Sequence, residues 1–167
     1  MKNWLISVAF ALSLSSTPVL AKESAKKPKV VHLCKKNDTA VNILACNVYM
    51  ESRGESLKGK MAVAFVTMNR VQRNKFPSSV RKVVFQKSQF SWVGVHSKVT
   101  DVKSWKEAKD IAGFVYILKK SPVLYDFVDP TNGSVYYHRE NVKPGWRHMM
   151  TKQTVIGRHI FYSEGEA

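Results

Sequence analysis

A single glutamate, Glu51, combines a reactive side chain with a position on an apolar helix face. Val41, Leu44 and Val48 recur at the spacing of a buried helical stripe, and Glu51 follows three residues after Val48. A carboxyl group on a core-facing stripe loses water, which raises its pKa. A carboxylic acid that stays protonated near neutral pH can act as the general acid in the cleavage of a glycosidic bond. The alternative interpretation is a glutamate at a frayed helix end that turns to solvent or pairs with Arg53.

A second carboxyl group is harder to assign. Glycoside cleavage usually requires two carboxyl groups, one on each side of the bond. Glu55 is the nearest candidate, but Gly54 interrupts the helix before it, so the sequence does not define its distance from Glu51. Asp129 and Glu140 are further candidates. Some glycan-cleaving enzymes need only one carboxyl group because the substrate supplies the nucleophile, and the absence of a clearly opposed partner favours this single-acid chemistry.

Other catalytic patterns are weaker. The chain contains no Gly-x-Ser-x-Gly elbow, and Cys46 could act as a nucleophile only if it were unpaired. The five histidines form no His-Glu-x-x-His pattern, so we expect neither a metal nor another cofactor. His138 and His159 could meet across two strands, but a structural role is the simpler interpretation of each.

Several aromatic side chains could stack on sugar rings. They are Tyr49, Phe90, Trp92, Tyr136, Tyr137 and Trp146. Most are expected in the core, because aromatic residues dominate core burial. Tyr136 and Tyr137 face opposite sides of a predicted strand, so only one of them can face a cleft.

Residues 1–21 have the pattern of a secretory signal peptide. Lys2 precedes an apolar run over residues 4–14, and small residues stand where a signal peptidase cleaves. The run is too short for a typical membrane-spanning helix, although an uncleaved anchor is the alternative. We therefore expect a protein that is secreted, in the periplasm or cell wall, after cleavage.

Export makes a disulfide between Cys34 and Cys46 plausible, because exported proteins meet an oxidising environment. Two separate buried thiols are the alternative. The Lys-rich residues 22–37 are predicted to form a basic linker, and the catalytic domain is predicted to span residues 38–165.

The net charge of +15 favours an anionic partner. An exported protein does not meet nucleic acid as its usual partner, so none is expected here. The anionic wall or membrane polymers that it can meet are teichoic acids, lipopolysaccharide, anionic lipid and the carboxylates of peptidoglycan stems. Simple solubility of a basic protein is the alternative explanation.

Two helices are predicted at the start of the domain. Asp38 or Thr39 can cap a helix that runs to about Met50, and Ser56 can cap a second helix that runs to about Val71.

Later in the chain, Ser104 and Glu107 form a predicted capping box for an amphipathic helix that ends near Lys119. Residues 135–138 and 155–162 are rich in β-branched and aromatic residues and are predicted to be strands. Helices followed by a small antiparallel sheet are typical of an α+β domain with a helical core.

A long ordered pattern surrounds Glu51 and continues to the last predicted strand. It comprises Asn47-x-x-x-Glu51-Ser52-Arg53-Gly54-Glu55, then Gly59, Ala62-Val63-Ala64, Val66 and Asn69-Arg70-Val71, then Phe76-Pro77, Val83-Val84, Gln89-Phe90-Ser91, Asp129-Pro130-Thr131, Tyr136-Tyr137 and Ile156-Gly157-x-His159-x-Phe161-Tyr162. Over about residues 44–162, the chain resembles the SleB-type cell-wall hydrolases, the spore cortex-lytic enzyme family.

The resemblance implies a lysozyme-like lytic transglycosylase fold and cleavage of the bond between N-acetylmuramic acid and N-acetylglucosamine. It maps the catalytic acid onto Glu51. The candidates for substrate binding or support are Glu55, Arg53, Gln89, Phe90, Tyr137 and His159. Ser52 and Lys60 depart from the family pattern, where Ala and Gln are usual. The sequence analysed shows no separate wall-binding repeat before the domain, so a spore role is not expected, and general wall remodelling and phage lysis are equally open.

These observations favour a secreted, monomeric lytic transglycosylase that acts on peptidoglycan glycan strands. One alternative is an N-acetylmuramoyl-L-alanine amidase, which would normally require zinc. The other is a non-catalytic basic module that binds the cell wall. The products formed from peptidoglycan distinguish the three hypotheses.

Overall fold

The computed structural model describes residues 29–95 and 97–165, so the predicted signal peptide lies outside it. The helices are α1 (Ala40–Ser52), α2 (Leu57–Gln72), α3 (Val80–Val84), α4 (Val102–Leu118) and α5 (Pro122–Val128), with a 3₁₀ turn at Gly145–Met149. The strands are β1 (His32–Leu33), β2 (Lys98–Val99), β3 (Tyr136–Arg139), β4 (Met150–Ile156) and β5 (His159–Glu164). A helical core with small antiparallel sheets confirms the predicted α+β class. Within the described residues, no helix has the length and apolar character needed to cross a membrane.

Helix α1 lies in the centre of the helical core. Its residues 43–49 are all buried, because α2, α3 and α4 pack around it. The stripe predicted through Leu44 and Val48 is therefore only part of the buried surface of an enclosed helix. Thr39 caps its start by accepting a hydrogen bond from the backbone N–H of Asn42 at 3.2 Å. The last turn of this enclosed helix brings Glu51 to the edge of the core.

Helix α2 begins at the predicted cap. Ser56 accepts a hydrogen bond from the backbone N–H of Gly59 at 3.3 Å. Its residues 62–70 are all buried, whereas Leu57 in the first turn is 57% exposed. The family-atypical Lys60 makes a 2.7 Å ion pair with Glu107 on α4, so its charge ties two helices together.

Helix α4 has the predicted apolar face but not the predicted start. It begins at Val102, and Asp101 is its cap, accepting from the backbone N–H of Ser104 at 3.0 Å. The predicted capping box was wrong because Ser104 already lies in the first turn and Glu107 pairs with Lys60. Helix α5, which has a proline in its first turn, was not predicted from the sequence.

The larger sheet has the strand order β3-β5-β4 and is antiparallel throughout. The single strand predicted over residues 155–162 was wrong, because this segment is the turn of a hairpin in which Ile156 pairs with His159. Gly157 makes the turn with a φ of +57°, in the left-handed region that favours glycine. The turn was not predicted because the residues on both sides of it are β-branched or aromatic, which favours a single strand.

The N-terminal part of the described chain belongs to the fold. Strand β1 pairs with β2, and a disulfide joins Cys34 to Cys46 in α1, as predicted. Ordered structure therefore begins before residue 38, inside the predicted linker, because strand pairing and the disulfide hold this segment against the helical core.

Glu55, in the turn between α1 and α2, connects the helices to the sheet. Its Oε1 lies 2.9 Å from Nε of Arg158, and its Oε2 accepts the backbone N–H of Arg158 at 3.4 Å. A Cβ at Gly157 would overlap the Glu55 carboxylate, and a Cβ at Gly59 would lie 2.9 Å from Glu55 Cβ. Both glycines therefore leave the space that the Glu55 side chain occupies.

Helix α2 also holds the start of β3. Arg70 donates from Nε to the carbonyl of Val135 at 2.6 Å. Asn69 donates from Nδ2 to the carbonyl of Ser134 at 3.0 Å and to Oδ2 of Asp129 at 2.9 Å. These buried bonds place β3 next to the helical core, where its second residue can reach the end of α1.

We expect a variant with both Cys34→Ser and Cys46→Ser to lose about 3 kcal/mol of unfolding free energy, because the disulfide closes a short loop in the unfolded chain. Urea unfolding with and without a reducing agent measures the change. The reducing agent should lower the midpoint of the wild type to that of the variant and leave the variant unchanged. If the urea midpoint of the wild type is the same with and without the reducing agent, the disulfide does not stabilise the fold.

We expect Glu55→Gln to lower the unfolding free energy at neutral pH by about 1 kcal/mol, a modest value because the Arg158 side chain is 53% exposed. Burial opposes ionisation of Glu55, but its hydrogen bonds with Arg158 outweigh burial and lower its pKa. The stabilisation is therefore complete above the ordinary carboxyl pKa and is lost as the pH falls through the lowered value. Urea unfolding across the acid range tests this, with Asp110→Asn in the exposed pair with Lys106 as the control.

Candidate active site

A cleft of about 550 Å³ lies where the end of α1 faces the sheet. It is lined by Tyr49, Met50, Glu51, Ser52, Arg53, Gly54, Glu55, Ser91, Trp92, Lys98, Arg139 and Arg158. The sequence therefore brings the α1–α2 turn, the loop before β2, the end of β3 and the β4–β5 turn to one concave surface.

Glu51 is half-buried in the last turn of α1 and lines this cleft. The hydroxyl of Tyr137 on β3 donates to its Oε2 at 3.3 Å. Burial raises the pKa of Glu51, and the Tyr137 hydroxyl and the charge of Arg139 offset this only in part. The pairing of Glu51 with Arg53, considered as an alternative, does not occur, since Arg53 donates to the hydroxyl of Tyr49 at 2.9 Å.

Tyr137 occupies a confined position behind Glu51. Its ring lies edge-on to His159 at a centroid distance of 5.3 Å and packs against Phe161 at 5.7 Å. Burial and the neighbouring Glu51 charge raise the pKa of Tyr137 well above its ordinary value. The phenol therefore stays protonated and remains a hydrogen-bond donor to Glu51.

Glu55 reaches the same cleft but is already engaged. Its carboxylate is held by the Arg158 side chain and backbone, which keep its pKa low despite burial. Asp129 is buried in the network with Asn69, and Glu140 is exposed just after β3. Neither lines the cleft. Of the carboxyl groups considered from the sequence, Glu51 alone combines the cleft with a raised pKa.

Of the remaining predicted residues, some line the cleft and others lie behind it. Arg53 is exposed at the cleft, whereas Gln89 is half-buried and Phe90 is buried, and neither lines it. His159 is buried with Nδ1 4.0 Å from Glu55 Oε1, and burial lowers its pKa below the ordinary value while Glu55 opposes the shift. His159 thus packs behind the cleft, between Glu55 and Tyr137.

Three residues at the cleft, Lys98, Arg139 and Arg158, were not expected from the sequence, and Trp92 was expected only as an aromatic that could stack on a sugar. Trp92 is buried, and its indole N–H donates to Oδ1 of Asn47 at 3.1 Å. Asn47 is the first residue of the pattern around Glu51. Its place in that pattern is the sequence signal that could have linked α1 to the loop that carries Trp92. Nothing in the sequence marks the three cations, because basic residues are spread over the whole chain.

The departure at Ser52 is accommodated locally. Its buried hydroxyl donates to the carbonyl of Val48 one turn earlier, at 2.7 Å. Within the described residues, no group of three His, Cys, Asp or Glu side chains is arranged to hold a metal ion. Chemically, the arrangement offers one carboxyl with a raised pKa in a cleft, hydrogen-bonded by a phenol and close to several cations.

Comparison with known proteins agrees with the resemblance noted in the sequence. The family model described as Cell Wall Hydrolase matches residues 54–162, a range that starts three residues after Glu51. A spore cortex-lytic enzyme of Oceanobacillus iheyensis is 30% identical over 125 residues, covering 72% of this chain and 40% of the relative. The enzyme of the same name from Bacillus subtilis is 30% identical over 127 residues, covering 72% and 36%. The chain thus spans less than half the length of these relatives.

Two solved structures share the fold. The catalytic domain of the Bacillus cereus SleB protein superposes with a TM-score of 0.57 at 26% identity, covering 84% of this chain and 100% of that domain. The catalytic domain of the germination-specific lytic transglycosylase SleB from Bacillus anthracis gives 0.58 at 26% identity, covering 77% and 99%. Together with the family match over most of the domain, these likenesses show that the chain belongs to the cell wall hydrolase family.

Proposed function

We propose that this protein cleaves the bond between N-acetylmuramic acid and N-acetylglucosamine in peptidoglycan, as a lytic transglycosylase with Glu51 as its catalytic acid. The observation that carries the proposal is the half-buried Glu51 in the cleft, with its pKa raised by burial and its carboxyl held by Tyr137. Membership of the cell wall hydrolase family and the likeness to SleB catalytic domains support the choice of substrate.

Glu51 acts twice in this mechanism. The protonated carboxyl donates its proton to the glycosidic oxygen, so the N-acetylglucosamine leaves with a hydroxyl group. The carboxylate then takes the proton from the 6-hydroxyl of the muramoyl residue as that oxygen bonds to C1 and closes the anhydro ring. The proton lost in the first step is recovered in the second, and no water is consumed.

The state of Glu55 favours this single-acid route over hydrolysis with two carboxyl groups. A two-carboxyl mechanism needs a second group available to act as nucleophile or to activate water. Glu55 is bonded to Arg158 on both oxygens and confined by Gly59 and Gly157. We assign Glu55 to holding the walls of the cleft together, and we assign His159 and Phe90 to support behind it.

The site of action follows from the substrate. We propose that residues 1–21 direct export and that the domain acts in the wall or periplasm, consistent with the cell wall hydrolase family. Product analysis separates the proposed activity from its alternatives. Anhydro-muramic ends indicate a transglycosylase, reducing ends indicate a hydrolase, and freed stem peptides indicate an amidase.

Glu51→Gln should lower the turnover of purified peptidoglycan by roughly 100-fold or more, because the amide cannot donate the acid proton. Mass spectrometry of the digest, with anhydro-muropeptides as the readout, measures the change. If Glu51 stabilises the fold, the variant should have a lower unfolding free energy than the wild type. If Glu51 is a catalytic acid held in a buried position, the variant should have a higher one. Burial penalises the carboxylate, so the Gln variant should gain relative stability as the pH rises from the ordinary carboxyl pKa through the raised one. A variant that retains wild-type turnover would refute the assignment.

Tyr137→Phe should shift the alkaline limb of the kcat profile to higher pH. The Tyr137 hydroxyl stabilises the Glu51 carboxylate, so its loss raises the pKa of Glu51 further and keeps the acid protonated to higher pH. The rate at the optimum should fall at the same time, because the carboxyl is less well oriented. Tyr136→Phe, on the opposite face of β3, is the matched control. An unchanged limb in Tyr137→Phe would show that the hydroxyl does not act on Glu51.

A further inference from the structure

A rim of basic side chains surrounds the cleft. Six of its lining residues are exposed, and four of these six are Arg53, Lys98, Arg139 and Arg158. They come from four separate places, namely the end of α1, β2, the end of β3 and the β4–β5 turn. Like charges that converge on one concave surface repel one another, and a negatively charged ligand relieves that repulsion.

Three of these cations make no salt bridge among the described residues. Arg158 pairs with Glu55 at 2.9 Å. Across residues 29–95 and 97–165, no salt bridge is made with Arg53, Lys98 or Arg139. Arg53 acts on Asp101, and Arg139 on Glu51, only through electrostatics at longer range. The rim therefore carries positive charge next to Glu51 that no salt bridge neutralises.

Arg53 is also held in position. Its Nη1 donates to the Tyr49 hydroxyl at 2.9 Å, and its guanidinium carbon lies 5.2 Å from the centre of the Tyr49 ring. A guanidinium has five N–H donors, and Tyr49 accepts one of them. Arg53 thus presents an oriented group that can bind a carboxylate through two hydrogen bonds.

The chemistry of peptidoglycan places negative charge at this rim. The stem peptide is attached to muramic acid, the same sugar whose C1 forms the bond to be cleaved. With that bond at Glu51, the stem leaves the cleft from the sugar ring that Glu51 contacts. Stem peptides carry free carboxylates, which match the charge of the rim.

We propose that Arg53, Lys98 and Arg139 form a subsite for the stem-peptide carboxylates of the muramic acid at the scissile bond. This inference rests on the proposed function and adds a substrate preference to it. Glycan strands that carry acidic stems bind more tightly than strands whose stems are absent or neutralised. The rim therefore selects the peptide-bearing parts of the wall.

Equilibrium binding to the full-length Glu51→Gln protein tests the subsite without turnover, and it removes the influence of Arg139 on the ionisation of Glu51. Three uncross-linked glycan samples are compared. The first has intact stems, and the second has stem carboxylates that have been converted to amides. The third has been stripped of stems by an amidase, and the lactyl carboxylate that this hydrolysis leaves on each muramic acid has then been converted to an amide. The intact strands should bind about tenfold more tightly than either other sample, the sum of three modest ionic contacts. The difference should shrink in 0.5 M salt.

Adding Arg53→Gln, Lys98→Gln and Arg139→Gln should abolish the preference. The matched control adds Lys109→Gln, Lys120→Gln and Lys152→Gln, which remove equal charge at exposed positions that do not line the cleft, and should retain it. Equal affinity for the three samples, or a preference that survives the rim substitutions, would overturn the subsite. Wild-type turnover of the same strands is measured separately. Selective binding without any turnover would refute the proposed function and leave the subsite standing.

Discussion

The ion pair between Glu55 and Arg158 is the interaction on which the arrangement of the cleft depends. It joins the α1–α2 turn to the β4–β5 turn, two segments about one hundred residues apart in the chain that both line the cleft. Removing Arg158 leaves the buried carboxylate without its charged partner, whereas Arg158 is 53% exposed and can be solvated when Glu55 is removed. The same contacts withdraw Glu55 from acid–base chemistry. The ion pair that holds the two turns together therefore lowers the pKa of Glu55, and Glu51 is left as the glutamate of the cleft with a raised pKa.

The different behaviour of two glutamates four residues apart has a simple electrostatic origin. Burial opposes ionisation of both, but Glu55 receives hydrogen bonds and a full positive charge, whereas Glu51 receives one phenolic hydrogen bond and the weaker influence of Arg139. A lowered pKa suits a structural anchor, and a raised pKa suits a proton donor. The enclosed helix α1 makes this contrast possible, since it carries Glu51 out of a fully buried segment directly to the cleft.

Part of the net charge of +15 is concentrated in the basic rim of the cleft. Among the described residues, most Lys and Arg side chains are exposed, and such a surface charge favours solubility. Those at the cleft come from four distant segments and lie beside the proposed proton donor. The two proposed roles are separable, because in the proposed mechanism Glu51 acts on the glycosidic bond and the rim binds the stem peptide attached to the muramic acid.

The sequence by itself determined the α+β class, a cap at Asp38 or Thr39, the cap at Ser56 and the buried face of α4, because these depend on local spacing and residue type. It also singled out Glu51 as the candidate acid, through its position on the apolar stripe and the long pattern around it. It did not determine the hairpin at Gly157 or the true start of α4, since one left-handed glycine and one Asx cap outweighed the local patterns. Only the tertiary structure decided that Glu55 pairs with Arg158, that Tyr137 contacts Glu51 and that three cations without a salt bridge among the described residues line the cleft. Contacts of this kind join residues far apart in the chain, and their partners are chosen by packing of the whole domain.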